Sequence, residues 1–439
     1  MNRRIPRSIG RRLVPLSAAA VVALGVASAA ASTATATASA ARQTVSSRMT
    51  PTIGAHPVMV KVGKVGGGTE KFTCEAVTAP LRCYTPQQMV NAYGWNQFKN
   101  RGKGDTVVII DAFQSPSLSE DLQAEDAEFG LASPNLEVIA PQGLTTFNPK
   151  SADQQSWAGE ITLDVNSVHI YAPDAHIILV LAKSDQDVDI TAALKFAVDN
   201  DLGNAISQSF GEAEECVAPT IVKEDNRLYE QAAREGISVF ASTGDNGAAQ
   251  PTCNGKHLVL SAGYPATDPD VTAVGGTNLF LSPSGKWLAE VAWNDGYGES
   301  GGGVSTLFAA PGFQHALGAP ARVVPDVAYN AGVNGGLIVA FQGNFYLFGG
   351  TSAGSPAWAS LAAVADQVAG HPLGLLNGAI YRLAESKRYT NYFHDITVGT
   401  NRESVGGYQA GPGYDLVTGW GTPEIASLIP ALAGTSTGS

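Results

Sequence analysis

From Thr106 onward the chain alternates short β-branched runs with amphipathic stretches. Residues 106–111 (TVVIID), 177–182 (IILVLA), 205–210 and 237–242 (ISVFAS) read as strands. Residues 190–200 (ITAALKFAVDN) carry apolar positions at helical spacing, and 226–235 leads into the fourth strand. This alternation predicts an α/β fold: a mostly parallel central sheet, joined by right-handed crossovers and flanked by helices on both faces. Ligand chemistry in such sheets gathers beyond the carboxyl ends of the strands. No internal repeat is evident, the Gly/Ser/Pro stretches near 281–303 read as loops, and the tail at 434–439 reads as loose.

The first forty residues follow a different rule. Five arginines, from Arg3 to Arg12, precede an uncharged run from Leu13 to Ala31 that is mostly Ala and Val. A basic stretch, an apolar stretch and an Ala-x-Ala-like site such as Ala27-Ser28-Ala29 predict an export signal, hence an extracellular protein free of the membrane once the signal is removed. The rival is a membrane anchor, since the run approaches the roughly 18 residues that suggest a span. The Arg11-Arg12 pair leaves a twin-arginine route open without supplying the full motif.

Export makes the four cysteines readable as disulfides. They admit three pairings, of which Cys74–Cys83 with Cys216–Cys253 is the most local. Zinc is the alternative, but no CxxC or paired histidine accompanies them.

Charge narrows the partners. The net charge of −12 becomes −17 once the five arginines of residues 1–40 are removed. Such a surface repels phosphate backbones, so no nucleic-acid partner is expected. Charged residues are 15% and hydrophobic ones 44%, enough for one large core in a chain of 439 residues, and a monomer is expected.

The most informative stretch is Gly349-Gly350-Thr351-Ser352-Ala353-Gly354-Ser355-Pro356. A strand pattern (FYLF) precedes it and a helix pattern (AWASLAAVADQVA) follows, which sets Ser352 on a strand-to-helix turn. Backbone N–H groups and the helix dipole there can stabilise an oxyanion. Taken alone, the segment is an N-cap serine among turn glycines.

A hydroxyl nucleophile needs a base. None of the seven histidines (His56, His169, His176, His257, His315, His371, His394) lies in a setting that suggests an activated imidazole. Glu160 and Asp164 instead stand i,i+4 among the apolar Ile161, Leu163 and Val165, so on a helix they share one face. Partly buried and in contact, they cannot both ionise cheaply; otherwise they are an ordinary solvated acidic face. Asp245, in Ser242-Thr243-Gly244-Asp245-Asn246-Gly247, follows a buried-looking strand, where Asp-Asn-Gly alone signals a turn.

Together these motifs resemble the sedolisins, the serine-carboxyl peptidases with a subtilisin-like fold. The resemblance runs from about Tyr84-Thr85-Pro86 and Asn91-Ala92-Tyr93-Gly94 to about Pro423. It includes Glu160-x-x-x-Asp164, Ser242 to Asp245, Val271 to Thr277, Ser300-Gly301-Gly302-Gly303-Val304-Ser305, Pro325-Asp326-Val327 and Gly350-Thr351-Ser352-Ala353. It implies Ser352 as nucleophile, Glu160 as general base, Asp164 as the partner that orients Glu160, and Asp245 as donor to the oxyanion beside the Ser352 N–H. A carboxyl donates only while protonated, and an unperturbed Asp has a pKa of ~3.9, so acid conditions or burial are required. Protein or peptide substrates follow.

The same resemblance implies further sites. Ser207-Gln208-Ser209-Phe210-Gly211 would pair with extended substrate, and Asp111 would extend the Glu160 network, although it also reads as a strand-ending turn residue. Asp395 and Asp415, with the carbonyls of Ile396, Gly411 and Gly413, would bind one structural Ca²⁺; oxygen donors and turn glycines suit that ion. The domains are then a signal (1–40), a short pro-segment or N-terminal extension (41–82), one catalytic domain (83–433) and the tail (434–439). Sedolisins usually carry a full folding propeptide domain, for which 41–82 is too short.

Two rivals remain. Gly350-Thr351-Ser352-Ala353-Gly354 also satisfies the Gly-x-Ser-x-Gly elbow of α/β-hydrolase esterases. That fold would need Asp366 or Asp395 with His371 or His394, which is cramped and leaves Glu160, Asp164 and Asp245 unexplained. A secreted binding protein on the same scaffold, without turnover, is the other.

Overall fold

This computed structural model describes residues 53–66, 72–75, 79–99, 101–282 and 284–435. The expected signal (1–40), the first part of the expected 41–82 extension and the tail from 436 on lie outside the described residues.

The strands that position the site are, in chain order, β1 (Val58–Lys64), β2 (Cys83–Tyr84), β3 (Thr106–Ala112), β4 (Asn135–Ile139), β5 (His176–Ala182) and β6 (Ala205–Gln208). They continue with β7 (Ser238–Ser242), β8 (Thr272–Leu281), β9 (Trp287–Ala292), β10 (Val327–Asn330), β11 (Gly336–Phe341) and β12 (Asn344–Gly349). The helices around them are α1 (Pro86–Ala92), α2 (Leu118–Phe129), α3 (Ala152–Tyr171), α4 (Asp187–Asp199), α5 (Pro219–Glu235) and α6 (Gly354–Ala369).

Eight strands form the central sheet in the order β9-β8-β7-β6-β3-β5-β4, with β10 also pairing β8. All pairs are parallel except β8–β9. The inner strands are apolar on both faces, as a sheet covered by helices requires. Alternation divides the core: Val107 and Ile109 of β3 join the cluster under α3 and α6, while Val108 and Ile110 join the one under α4 and α5. A second sheet, β1-β12-β11-β2, carries the strand that feeds Ser352. Cys74–Cys83 and Cys216–Cys253 are both disulfide-bonded.

Three local differences from the sequence reading have clear causes. Within 281–303, read as loops, β9 forms a hairpin with β8, and the turn residues are confined mainly to either side of it. α4 starts at Asp187 because Asp187 and Asp189 favour its positive end, and α5 starts at Pro219, which suits a first helical position. The strand expected over 205–210 ends at Gln208, and Ser209 and Phe210 leave the ladder.

Candidate active site

Ser151 caps the start of α3, its hydroxyl accepting a hydrogen bond from the Gln154 amide. From Trp157 to Tyr171 every residue is buried, so no side of this stretch faces water. Glu160 and Asp164 therefore project into the interior, each at 0% exposure, and the solvated-face alternative does not hold. Asp111, at the carboxyl end of β3, is equally buried.

The six oxygens of these three carboxyls receive no geometrically sound hydrogen bond among the described residues. Burial pushes Glu160 well above its usual range, reinforced by Asp164 and Asp111 and opposed by the nearby Ser352 hydroxyl. Burial likewise raises Asp164, against the pull of the Ser209 hydroxyl, and raises Asp111, with Asp164 adding to it. Ser352 and Ser209 are thus close enough to favour ionised carboxylates, yet their well-formed bonds run to each other's main chain. Ser352 Oγ donates to the Ser209 carbonyl at 3.4 Å, and Ser209 Oγ donates to the Ser352 carbonyl at 3.2 Å. Mutually repelling buried carboxyls are relieved by holding protons, which neighbouring oxygens can then accept.

Ser352 follows β12 in a single turn of 3₁₀ helix (Thr351–Ala353) and then enters α6. α6 packs on β6, β7 and α3, which carries the serine to the carboxyl ends of the central strands. Gly350 adopts φ 137°, and a Cβ there would lie 2.7 Å from Asp245 Oδ2, so this turn requires glycine. Asp245 Oδ1 accepts both the Thr351 N–H and the Thr351 hydroxyl, at 2.8 Å each. Burial pushes the half-buried Asp245 up to about 6, against those two bonds. Gly301 meets the same loop from the other side: a Cβ there would lie 2.0 Å from the Thr243 carbonyl, which accounts for glycine at this position.

In the run from Ser207 to Gly211, Ser207 Oγ bonds Ser355 Oγ at 2.8 Å, and Gln208 accepts from the Tyr229 hydroxyl at 2.8 Å. Ser209 meets Ser352 as described, Phe210 packs on Trp157 at 5.8 Å, and Gly211 pairs with Gly54. Ser207 and Gln208 thus stitch the strand to its surroundings, and only Ser209 reaches the Ser352 main chain. Sequence reasoning missed Thr351, whose two bonds to Asp245 follow no local signal, and Gly54, whose partner lies more than a hundred positions away.

The imidazoles offered to the esterase alternative are engaged elsewhere. His371 Nδ1 meets the Pro372 carbonyl at 2.9 Å, while the His394 ring stacks on Trp287 at 4.0 Å with Nε2 3.6 Å from Glu424.

At the second constellation, Gly413 N–H donates to both Asp395 oxygens at 3.1 and 3.2 Å, and Gly411 N–H donates to Asp415 Oδ2 at 2.9 Å. Both carboxylates are thus held by N–H groups of one loop. The carbonyls of Ile396, Gly411 and Gly413 accept no hydrogen bond among the described residues. An all-oxygen set with free carbonyls fits a hard cation such as Ca²⁺.

A covered parallel sheet with a serine and carboxyls gathered at its strand ends defines a subtilisin-like α/β protein. Residues 155–379 match the subtilase family. Kumamolisin from Bacillus sp. (strain MN-32) is 33% identical over 82% of this chain and 66% of its own length. Sedolisin from Pseudomonas sp. (strain 101) is 30% identical over 85% of this chain and 64% of its own. The solved structure of Pseudomonas sedolisin, a serine-carboxyl proteinase complexed with two molecules of pseudo-iodotyrostatin, superposes with a TM-score of 0.72 at 28% identity, over 80% of this chain and 97% of that one. The chain belongs to the subtilase family, within its sedolisin branch. It spans at most 66% of the length of these two curated relatives.

Proposed function

We propose that this chain is an exported serine-carboxyl endopeptidase that hydrolyses proteins or peptides at acid pH. Ser352 Oγ attacks the scissile carbonyl while Glu160 takes its proton. Asp164, backed by Asp111, shares protons with Glu160 and fixes its orientation. Asp245, protonated, donates to the tetrahedral oxyanion together with the Ser352 N–H. Collapse of the intermediate expels the amine, which takes the proton back from Glu160; water then repeats the sequence to free the acyl group.

The observation that carries this reading is the convergence of Glu160, Asp164 and Asp111 on the Ser352 turn, with Asp245 docked on the residue before the serine. An oxyanion donor that loses its proton near pH 6 is repulsive above it, so the chemistry belongs on the acid side. The carboxyl network supplies a base there, whereas an imidazole would be protonated. Ser207 and Gln208 are paired on both sides within the central sheet, so residues 209–211, which leave the ladder, would hold the substrate main chain, and Ca²⁺ on Asp395, Asp415 and the three carbonyls would brace the 411–415 loop. Incubation with denatured protein at pH 3–5 tests the reading: cleavage that disappears in Ser352→Ala supports it, and full activity at pH 8 with none at pH 4 contradicts it.

A further inference from the structure

We infer that Glu214 is a positioning residue for the proposed reaction: its carboxyl fixes the spacing between the run that holds the substrate main chain and the loop that carries Asp245. The inference rests on the peptidase reading above and adds to it a residue that touches no reacting atom.

Glu214 lies three positions after Gly211, in a single turn of 3₁₀ helix (Glu214–Cys216), and is 2% exposed. Both of its oxygens are taken by a segment 91 and 92 positions further on. Oε1 accepts the Ser305 hydroxyl at 2.5 Å, and Oε2 accepts the Thr306 N–H at 2.6 Å and the Thr306 hydroxyl at 2.8 Å. Ser305 Oγ in turn accepts the Leu307 and Phe308 N–H groups at 3.1 and 3.0 Å. One carboxyl thus organises a whole turn of main chain.

From Ser305 the grip passes to the loop of the oxyanion donor. Gly303 and Val304 pair with Val324 and Val323, which fixes the stretch between. Gly301 N–H donates to the Gly244 carbonyl at 2.8 Å, and the Thr243 hydroxyl donates to the Gly301 carbonyl at 2.9 Å. Glu299 N–H donates to the Asp245 carbonyl at 3.1 Å. Backbone meets backbone here, since a Cβ on Gly301 would find no room. A shift of Ser305 is therefore passed on to Gly244 and Asp245.

The other end of the grip is the substrate run. Glu212 and Ala213 follow residues 209–211 directly and pair antiparallel with Tyr264 and Gly263. The Cys216–Cys253 disulfide ties the same segment two residues beyond Glu214. Removal of the Glu214 carboxyl leaves this segment attached and frees only its spacing from Ser305. Catalysis is sensitive to such spacing: a misplacement of about 1 Å can cost about 10²-fold.

The test measures kcat and KM of the full chain on an internally quenched peptide at pH 4, for the parent, Glu214→Ala, Glu214→Gln and Ser305→Ala, per folded molecule. Substrate still meets residues 209–211 in every form, so Glu214→Ala should lose at least about tenfold in kcat with KM within about threefold. Gln keeps the oxygen that Thr306 uses and loses the acceptor for Ser305, so its kcat should lie between Glu and Ala. Ser305→Ala should lose at least about threefold in kcat, and it decides the matter if Glu214→Ala does not fold. Inhibition supplies a second readout. The serine hydroxyl adds across the carbonyl of a peptide aldehyde to give a hemiacetal, whose oxygen uses the oxyanion donors, whereas the matching peptide alcohol only occupies the cleft. In Glu214→Ala the aldehyde Ki should rise at least about tenfold and the alcohol Ki less than about threefold; a generally loosened cleft would weaken both alike. Unchanged kcat in Glu214→Ala and Ser305→Ala, a rise in KM alone, or equal losses for aldehyde and alcohol would overturn the inference. A parent chain that cleaves nothing at pH 4 would instead overturn the peptidase reading, and the inference would fall with it.

Discussion

Thr351 holds Asp245 twice, its N–H and its hydroxyl both donating to Oδ1 at 2.8 Å, while Oδ2 lies over Gly350. One oxygen is thereby fixed by the residue before Ser352, and the other is left able to donate when protonated, as the proposed oxyanion role requires. Asp245→Asn keeps an acceptor for Thr351 and supplies an amide donor at every pH. We expect the alkaline fall in kcat/KM near pH 6 to move up or flatten in Asp245→Asn. Asp245→Ala should lose about 10²–10³ in kcat, the usual cost of one oxyanion donor. A pH profile unchanged by Asn would assign the fall to another group.

Burial pushes Glu125 and Glu212 up to about 8, and Asp225 and Asp268 up to about 7. Unfolded carboxyls titrate near 4. Between pH ~4 and 8 the folded chain therefore binds more protons than the unfolded one, and stability falls as pH rises. With chelator present throughout, Tm should be higher at pH 4 than at pH 8. The opposite order would show that these carboxyls ionise without penalty.

Arg322 and Asp326 form a fully buried ion pair, with both guanidinium NH groups 2.5 Å from carboxylate oxygens. Asp326 also accepts the Ala273 N–H and the Tyr381 hydroxyl at 2.8 Å. Asp326→Ala strands a buried cation and should cost about 3–5 kcal/mol. Denaturant melts check this, and a loss under about 1 kcal/mol would mean that Arg322 finds another partner.

Chelation should lower Tm in the parent chain, and Asp415→Ala should abolish that response. A Tm unmoved by chelator would leave Asp395 and Asp415 as ordinary loop acids held by backbone N–H groups.

Legibility followed distance along the chain. The strand–turn–helix around Ser352 and the Glu160/Asp164 spacing are local patterns, and each stands in the fold as its neighbours dictate. Depth was less readable: from Trp157 on, α3 is enclosed on all sides because β3, α6 and β11 pack around it, which its own polar residues conceal. β9 was hidden among turn residues, since a short hairpin strand depends on its partner β8. Gly54 against Gly211 and Thr351 against Asp245 are contacts that only the folded chain creates. Their glycines and threonine are individually unremarkable in composition.

The most direct measurement is kcat/KM on an internally quenched peptide at pH 4 and pH 8, for the parent chain, Ser352→Ala and Glu160→Gln. The proposed carboxyl-driven chemistry predicts cleavage at pH 4 that largely vanishes at pH 8 and falls at least about a thousandfold in both variants. Undiminished cleavage in Ser352→Ala, or activity confined to pH 8, would contradict it.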